Sequence, residues 1–455
     1  MNTKAWCVCS ALVLTATLVA GCQGYDPQPL DEAAHTRQWQ ARDPASEPVA
    51  EYARKLALAG RQTGPFDLRD GVSLPEAEVI ALFFNPELRR ARAEAGIALA
   101  GAEEAGRWQD PELEINATYI LENVSSPWVL GGMLKFTLPL SGRHGVEEDK
   151  AWAEHRLTLT QVVASEWQVL QDLRQHWLAA AATAEDLALT QRFIAALEQL
   201  KTRADNLAAA GALSRLDARL IELELVSRRI EAFGLETDLA ESRLQLRQDL
   251  GLMPTAPLQL QLELANMDAP AQPDEVLRQR NPVLRVARAQ YDVSEQSLRL
   301  EIRKQYPDLV IGGGFESDQG QSRIALGLGL PIPIINLNRE GIARARAARV
   351  EARTAWEAAV ENAFHTLARA ELRQTRAAIQ AQQVRQQLVP LADAQAAEAT
   401  RMAELGEFDA IRQLDVLTRQ HEARVALLKA ETDQRKAVAA LLGAVGPSWR
   451  ALEKS

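Results

Sequence analysis

Asn85-Pro86-Glu87-Leu88-Arg89-Arg90-Ala91-Arg92-Ala93 returns 196 residues later as Asn281-Pro282-Val283-Leu284-Arg285-Val286-Ala287-Arg288-Ala289, with seven of nine positions identical. The same offset aligns Pro111-Glu112-Leu113-Glu114-Ile115 with Pro307-Asp308-Leu309-Val310-Ile311, and Arg143 and Gly145 with Arg339 and Gly341. Gly211 pairs with Gly406 at an offset of 195. One register held over so long a stretch marks an internal duplication, and everything else is read against it.

Each half runs short helix, two strands, long helix, glycine turn, medium helix. Asn85 and Asn281 are helix caps, with Pro86 and Pro282 at the first helical position, where a missing N–H costs nothing. Absence of proline over 87–110 and 283–306 predicts 24-residue helices. From Val146 to Ala210 there are 65 residues without Gly or Pro, and from Ile342 to Leu405 there are 64 broken only by Pro390, which predicts a kink. At 1.5 Å per residue each long helix spans about 100 Å. The medium helices, 212–250 and 407–442, have 39 and 36 residues. A short plus a medium helix nearly equals one long helix, so each half can lay a continuous rod beside a rod of two stacked pieces. Rods of that length with Leu and Ala at helical spacing call for coiled-coil packing.

The strands alternate. Over 112–122, Leu113, Ile115, Ala117, Tyr119 and Leu121 share one face. Over 130–140 it is Leu130, Leu134, Phe136, Leu138 and Leu140; over 322–334 it is Ile324, Leu326, Leu328, Leu330, Ile332 and Ile334. Residues 308–316 form a shorter, glycine-rich strand. Period two over about ten residues with one apolar face fits a transmembrane barrel strand, or a half-buried sheet in a soluble protein.

Composition closes other routes. The net charge is −10, aromatics are 5%, and long stretches are Ala, Leu, Arg, Gln and Glu. Acidity with scattered Arg argues against nucleic acid. The only cysteines are Cys7, Cys9 and Cys22, so the remaining chain has no disulfide framework and no cysteine metal site. His421-Glu422 begins a zinc-helix motif but lacks the second histidine. No nucleophile elbow or phosphate loop occurs, so neither an enzyme nor a cofactor is expected.

Lys4 followed by an apolar run to Ala20 reads as an export signal, residues 1–21. It ends Leu18-Val19-Ala20-Gly21-Cys22, which resembles a bacterial lipobox, with Cys22 as the lipidated first residue of the mature protein. An ordinary signal peptide that happens to hold a cysteine is the alternative. Gln23 then implies sorting to the outer membrane. Removing residues 1–21 takes Lys4 and no acid, leaving 50 − 61 = −11. No later apolar run suffices for a spanning helix, which leaves strands. Four strands cannot close a barrel, because their edges would be unsatisfied in lipid. Several copies are required, and three give twelve strands and twelve helical rods.

On these residues the chain resembles the outer membrane factor (TolC) family, most closely its lipoprotein and CzcC-like members. The residues that carry the likeness are the lipobox at Cys22, the paired Asn-Pro-x-Leu starts, the strand pairs and the glycine turns. The resemblance covers about 73–445. It implies an α+β, mostly α fold: a coiled-coil tunnel with four strands per protomer in a trimeric 12-stranded barrel. It implies a passive outer membrane channel of a tripartite efflux pump, lipid-anchored and extending into the periplasm. Its partners would be a periplasmic adaptor and an inner membrane pump of the resistance-nodulation-division type or an ABC transporter. Type I protein secretion through the same duct is a second reading, and a non-pore periplasmic scaffold a third. The expected organisation is a lipidated tether 22–72 with one short helix, a first repeat 73–251, a linker 252–273 with one small strand, a second repeat 274–445 and a tail 446–455.

Gly211 and Gly406 stop the long helices, and Ser214 and Asp409 cap the outgoing ones. The resemblance makes these turns the periplasmic entrance, with Gly211, Leu213, Ser214, Gly406, Phe408 and Asp409 as adaptor-docking tips. It places gate acids six and nine residues after the second glycine. Asp415 matches; Arg412 departs. Asp217 and Arg215 occupy the first turn. Asp415 in a trimer would form a ring of three carboxylates that attracts cations, with Arg412 neutralising it or latching a neighbouring helix. Ordinary solvated helix charges are the alternative.

Overall fold

The computed structural model describes residues 24–61, 65–122, 124–125, 127–269, 271–318, 321–333 and 335–447. The export signal, Cys22 and residues 448–455 lie outside them. The chain forms two compact units, 1–43 and 44–455. The first carries α1 (Glu32–Gln40), whose cap Asp31 accepts from the Ala34 N–H at 2.8 Å. The second holds everything else.

In that unit α2 (Glu47–Leu58) and α3 (Leu74–Phe84) precede α4 (Pro86–Glu104). Strands β1 (Glu112–Tyr119) and β2 (Trp128–Leu138) lead to the long helix α5 (Arg143–Ala209), then α6 (Arg215–Asp249). The second half repeats the plan. It has α7 (Pro273–Arg280), α8 (Pro282–Arg303), β3 (Leu309–Asp318), β4 (Gln321–Gly329), α9 (Arg339–Gln383), α10 (Val389–Glu404) and α11 (Ala410–Val445).

The two-piece rods exist, and the cap asparagines splice them. Asn85 is buried; its Oδ1 accepts from the N–H groups of Glu87 (2.9 Å) and Leu88 (3.3 Å), while its Nδ2 donates to the Asp249 carbonyl at the end of α6 (3.0 Å). Asn281 repeats this with Val283 (2.9 Å), Leu284 (3.1 Å) and the Ala444 carbonyl near the end of α11 (2.7 Å). One amide thus satisfies orphan groups at two helix ends. Glycine follows each outgoing helix with positive φ, Gly251 at +67° and Gly446 at +105°, and a Cβ there would meet the Phe84 or Arg280 carbonyl.

Helix packing gives a row of four rods. α4 and α6 both pack on α5; α5 packs on α8 and α11; these in turn pack on α9, and α11 also on α10. The outer rods are α4/α6 at one side and α9/α10 at the other. Each outer rod leaves an apolar stripe uncovered. On α6 the buried face is Ala218, Ile221, Leu225, Ala232, Leu239 and Leu246, while Leu216, Leu223, Ile230 and Leu244, in heptad register, are exposed on the far side. On α9, Val350, Leu372 and Ile379 are exposed opposite Ala352, Leu367 and Ala370.

The four strands form one antiparallel sheet in the order β1-β2-β3-β4, so β1 and β4 are edges. Register aligns the predicted apolar positions across it: Leu113 opposite Leu134, Phe136 opposite Ile311, Ile311 opposite Leu328, Phe315 opposite Ile324. Twelve large side chains of that face (Leu113, Ile115, Tyr119, Trp128, Leu130, Leu134, Phe136, Ile311, Phe315, Ile324, Leu326, Leu328) stand exposed. These side chains are 41–87% exposed, so at about 1.5–3 kcal/mol for full burial of each, on the order of 10–20 kcal/mol goes unrealised in a chain alone in water. The other face is polar, with Lys135 paired to Glu114 and Arg323 to Asp318 (3.0 Å). Tyr119 and Trp128 stack edge to face (5.0 Å) at the hairpin end, and Trp108 and Tyr306 stand exposed ahead of β1 and β3.

Several boundaries depart from the sequence reading. The 24-residue helices stop at Glu104 and Arg303; after the first, Gly106 takes a positive φ, which a proline count overlooks. The long helices begin earlier, at Arg143 and Arg339, with Gly145 and Gly341 inside their first turns. Strand 322–334 ends at Gly329, since Pro331 and Pro333 have no N–H to pair. Strand 112–122 ends at Tyr119, 130–140 runs Trp128–Leu138, and 308–316 runs Leu309–Asp318. Among the described residues of 22–72 there are two helices, not one. The linker strand is a single parallel bridge, Val72 with Leu260, where the core covers it instead of a sheet. Pro390 is accommodated by a π-helical turn, Val384–Leu388, which widens the spiral where proline lacks its N–H.

At the middle of the rods α2, α3 and the linker pack on α5 in the main core, around Trp177, Leu170 and Leu173. Glu166 is buried there, bound by Arg61 (2.6 Å) and Arg92 (3.0 Å). Arg174 binds Glu78 (2.5 Å) and lies over Trp167.

Candidate functional site: the hairpin tips

The far ends of the rods are two helical hairpins built alike. Gly211 (φ +73°) lets the Ala212 N–H return to the Leu207 carbonyl (2.8 Å), and Gly406 (φ +92°) lets the Glu407 N–H reach the Met402 carbonyl (3.0 Å). Both are six-to-one closures that only a left-handed residue permits. The outgoing helices are capped as expected: Ser214 Oγ accepts from Leu216 N–H (3.1 Å), and Asp409 Oδ1 from Ile411 and Arg412 N–H (both 3.1 Å).

Leu213 and Phe408 occupy equivalent places and turn inward. They pack on one cluster drawn from both hairpins, Leu200, Ala204, Ala218, Ile221 and Ala410. The two tips are therefore held together by apolar contact, while Gly211, Ser214, Gly406 and Asp409 stay exposed. Between them lies a groove of about 550 Å³ bordered by Arg203, Asn206, Thr400, Glu404, Phe408 and Gln413.

The charged residues do not form one cluster within a chain. Asp415 pairs with Arg419 one turn on (2.9 Å), and Arg412 leans back to Asp409 (3.8 Å); all four are exposed. Arg412 and Asp415 do not pair with each other. Asp217 is half-buried and Arg215 exposed in the first turn. Exposed pairs of this kind contribute at most about 1 kcal/mol to stability.

Higher on the hairpins is a stack that motif reading missed. His421 of α11 lies flat on Phe193 of α5 (centroids 4.5 Å apart, planes 12°), and the Arg228 guanidinium of α6 approaches the same ring at 5.5 Å. His421 is buried, and burial, then the Arg228 charge, holds its pKa below the ordinary value. The signal was available: Leu414, Leu417, His421 and Leu428 have the spacing of a buried heptad seam, which places a histidine in the core. Among the described residues no group of three or more His, Cys, Asp and Glu could hold a metal ion, and no helix is long and apolar enough to cross a membrane.

Comparison with known proteins gives this geometry a context. The family described as "Outer membrane efflux protein" matches residues 275–447. No curated protein matches the chain. Among solved structures, a membrane protein from Pseudomonas aeruginosa is similar at 21% identity, covering 84% of this chain and 93% of that one, with a TM-score of 0.68. The outer membrane protein VceC from Vibrio cholerae is similar at 15% identity, covering 83% and 97%, with a TM-score of 0.70. The outer membrane channel CmeC of Campylobacter jejuni is similar at 14% identity, covering 95% and 96%, with a TM-score of 0.68. The chain has the TolC-like fold of the outer membrane efflux channels, and its second repeat carries the sequence pattern of the outer membrane efflux protein family.

Proposed function

We propose that this protein is the outer membrane channel of a tripartite efflux pump, a passive trimeric duct for small molecules or metal cations. One observation carries the reading: the chain is an open row on both levels. Among the described residues the sheet has two unpaired edges and an uncovered apolar face, and the rods have two uncovered apolar stripes. β1 and α4/α6 are joined in sequence at one side, β4 and α9/α10 at the other. Repeating the chain about an axis joins edge to edge at both levels at once, and the apolar sheet face then meets lipid. Three copies give twelve strands.

In this reading Cys22 carries the lipid anchor, and Trp108 and Tyr306 sit at one membrane interface with Tyr119 and Trp128 at the other. The rods reach into the periplasm, where the hairpin tips meet an adaptor and an inner membrane pump that supplies the energy. Three copies of Asp415 ring the entrance and favour cations.

The test is direct. Protein extracted from outer membranes should run as a heat-modifiable trimer and conduct in planar bilayers. The double variant Leu223→Asp, Ile230→Asp should yield monomers without conductance. A wild-type protein that is monomeric and silent would overturn the proposal. Deleting the gene and measuring resistance to a panel of metals and drugs identifies the cargo.

A further inference from the structure

The stack at His421 lies on the helix that carries Asp415, six residues further from the tip. It joins three rods, since His421, Phe193 and Arg228 come from α11, α5 and α6. Directly toward the tip, Leu414 and Leu417 of α11 pack on Leu197 and Leu225 of the same two rods. The stack therefore stands above the contacts that hold the two hairpins together.

The surroundings of the imidazole are specific. From α6 it faces Arg228, which is held by Glu224 and Glu231 (both 2.7 Å). From α5 it meets the Phe193 ring. From its own helix Glu422 acts on it. From α10, Asp393 is engaged by its neighbours Gln420 (2.7 Å) and Arg424 (3.4 Å). Burial and Arg228 disfavour the imidazolium more than the three glutamates favour it, so the packed state holds a neutral ring.

We propose that His421 is an acid-responsive latch of the hairpin tips: neutral, it seals α11 against α5 and α6; protonated, it releases them. The sign follows from linkage. The packed imidazole titrates below its ordinary 6.5, and a released, hydrated one near it. The latch is fully set above that value. It weakens as pH falls through it and stops weakening once the packed ring is itself protonated. Each unit of difference between the two pKa values shifts the ratio of latched to released tips by up to about ten-fold. The ligand of this switch is the proton. In the channel reading, on which its physiological use rests, acidification of the periplasm would open the entrance without help from the adaptor.

The experiment uses two readouts. Residues 23–455 contain no cysteine, so thiols introduced at Asn206 and Glu404, one on each hairpin, can be spin-labelled uniquely. Pulsed dipolar distances are measured on the mature protein with Cys22 replaced by serine, from about pH 7.5 to about pH 5, beside bilayer conductance over the same range. In the wild-type background a longer inter-hairpin population should appear reversibly on acidification, with a matching rise in conductance. His421→Gln should keep the neutral-pH distance at every pH, which also shows that it folds. An unchanged wild-type distance, or an equal acid shift in His421→Gln, overturns the latch. A distance change confined to the wild type in a protein that never conducts upholds the latch and removes the channel reading.

Discussion

Replacing Asn281 by alanine tests how the stacked rods are held. The side chain is 5% exposed and makes three hydrogen bonds, two capping α8 and one to the Ala444 carbonyl. Losing the cap costs about 1 kcal/mol. Leaving the Ala444 carbonyl buried without its donor costs a further 1–3 kcal/mol or so. The sum is about 2–4 kcal/mol. For a cooperative unit of about 400 residues, an unfolding entropy near 2.1 cal/mol/K per residue converts this to a fall of about 2–5 °C in Tm. Asn281→Asp is the sharper variant. It keeps the cap acceptor and adds favourable charge at the helix start, yet it turns an oxygen toward the Ala444 carbonyl. It should be at least as destabilised as alanine. Differential scanning fluorimetry of the detergent-solubilised protein reads both, with amide exchange at α8 and the end of α11 as a local check. An Asn281→Asp protein as stable as the wild type would refute the splice, because capping alone would then account for the residue.

The other expectations concern the core, the entrance and the membrane face. Glu166→Ala removes the buried carboxylate that Arg61 and Arg92 share and should cost about 1–3 kcal/mol, read as a lower Tm. Asp415→Ala should lower cation selectivity, read as a smaller reversal potential across a salt gradient, with Tm unchanged because the Asp415–Arg419 pair is exposed. An unaltered reversal potential would return Asp415 to the role of a solvated helix charge. Leu326→Arg puts a charge on the apolar face of β4 and should cost about 2–4 kcal/mol at the bilayer midplane, read as a lower yield of protein in the outer membrane.

The plan of the fold was legible because two periodicities and a repeat agree. The Asn-Pro starts located the short helices, and glycine spacing located the hairpins. The period-two runs gave one apolar face, which the register then aligned across four strands. Element ends are less legible where one residue type alone marks them: Gly106 follows the end of a helix that proline spacing would extend, and Gly145 sits inside the first turn of a helix that a Gly-free run would start at Val146. The second bond of Asn85 and Asn281 was invisible, since its partners at Asp249 and Ala444 lie more than 160 residues away. Asp415 pairs with Arg419, four residues on, and not with Arg412, three residues back; both spacings put the charges on one helix face, so spacing does not choose between them. His421-Glu422 begins a metal-helix motif without its second histidine; the heptad position of His421, read as packing, leads to the stack.

The open row is the centre of the account, and electron cryo-microscopy of the full-length protein in lipid nanodiscs tests it most directly. The predicted result is a three-fold particle in which β1 of each chain pairs with β4 of the next to close twelve strands, with α6 of one chain against α9/α10 of its neighbour. A monomer, or an assembly that covers the apolar sheet face with protein and leaves β1 and β4 unpaired, would contradict it.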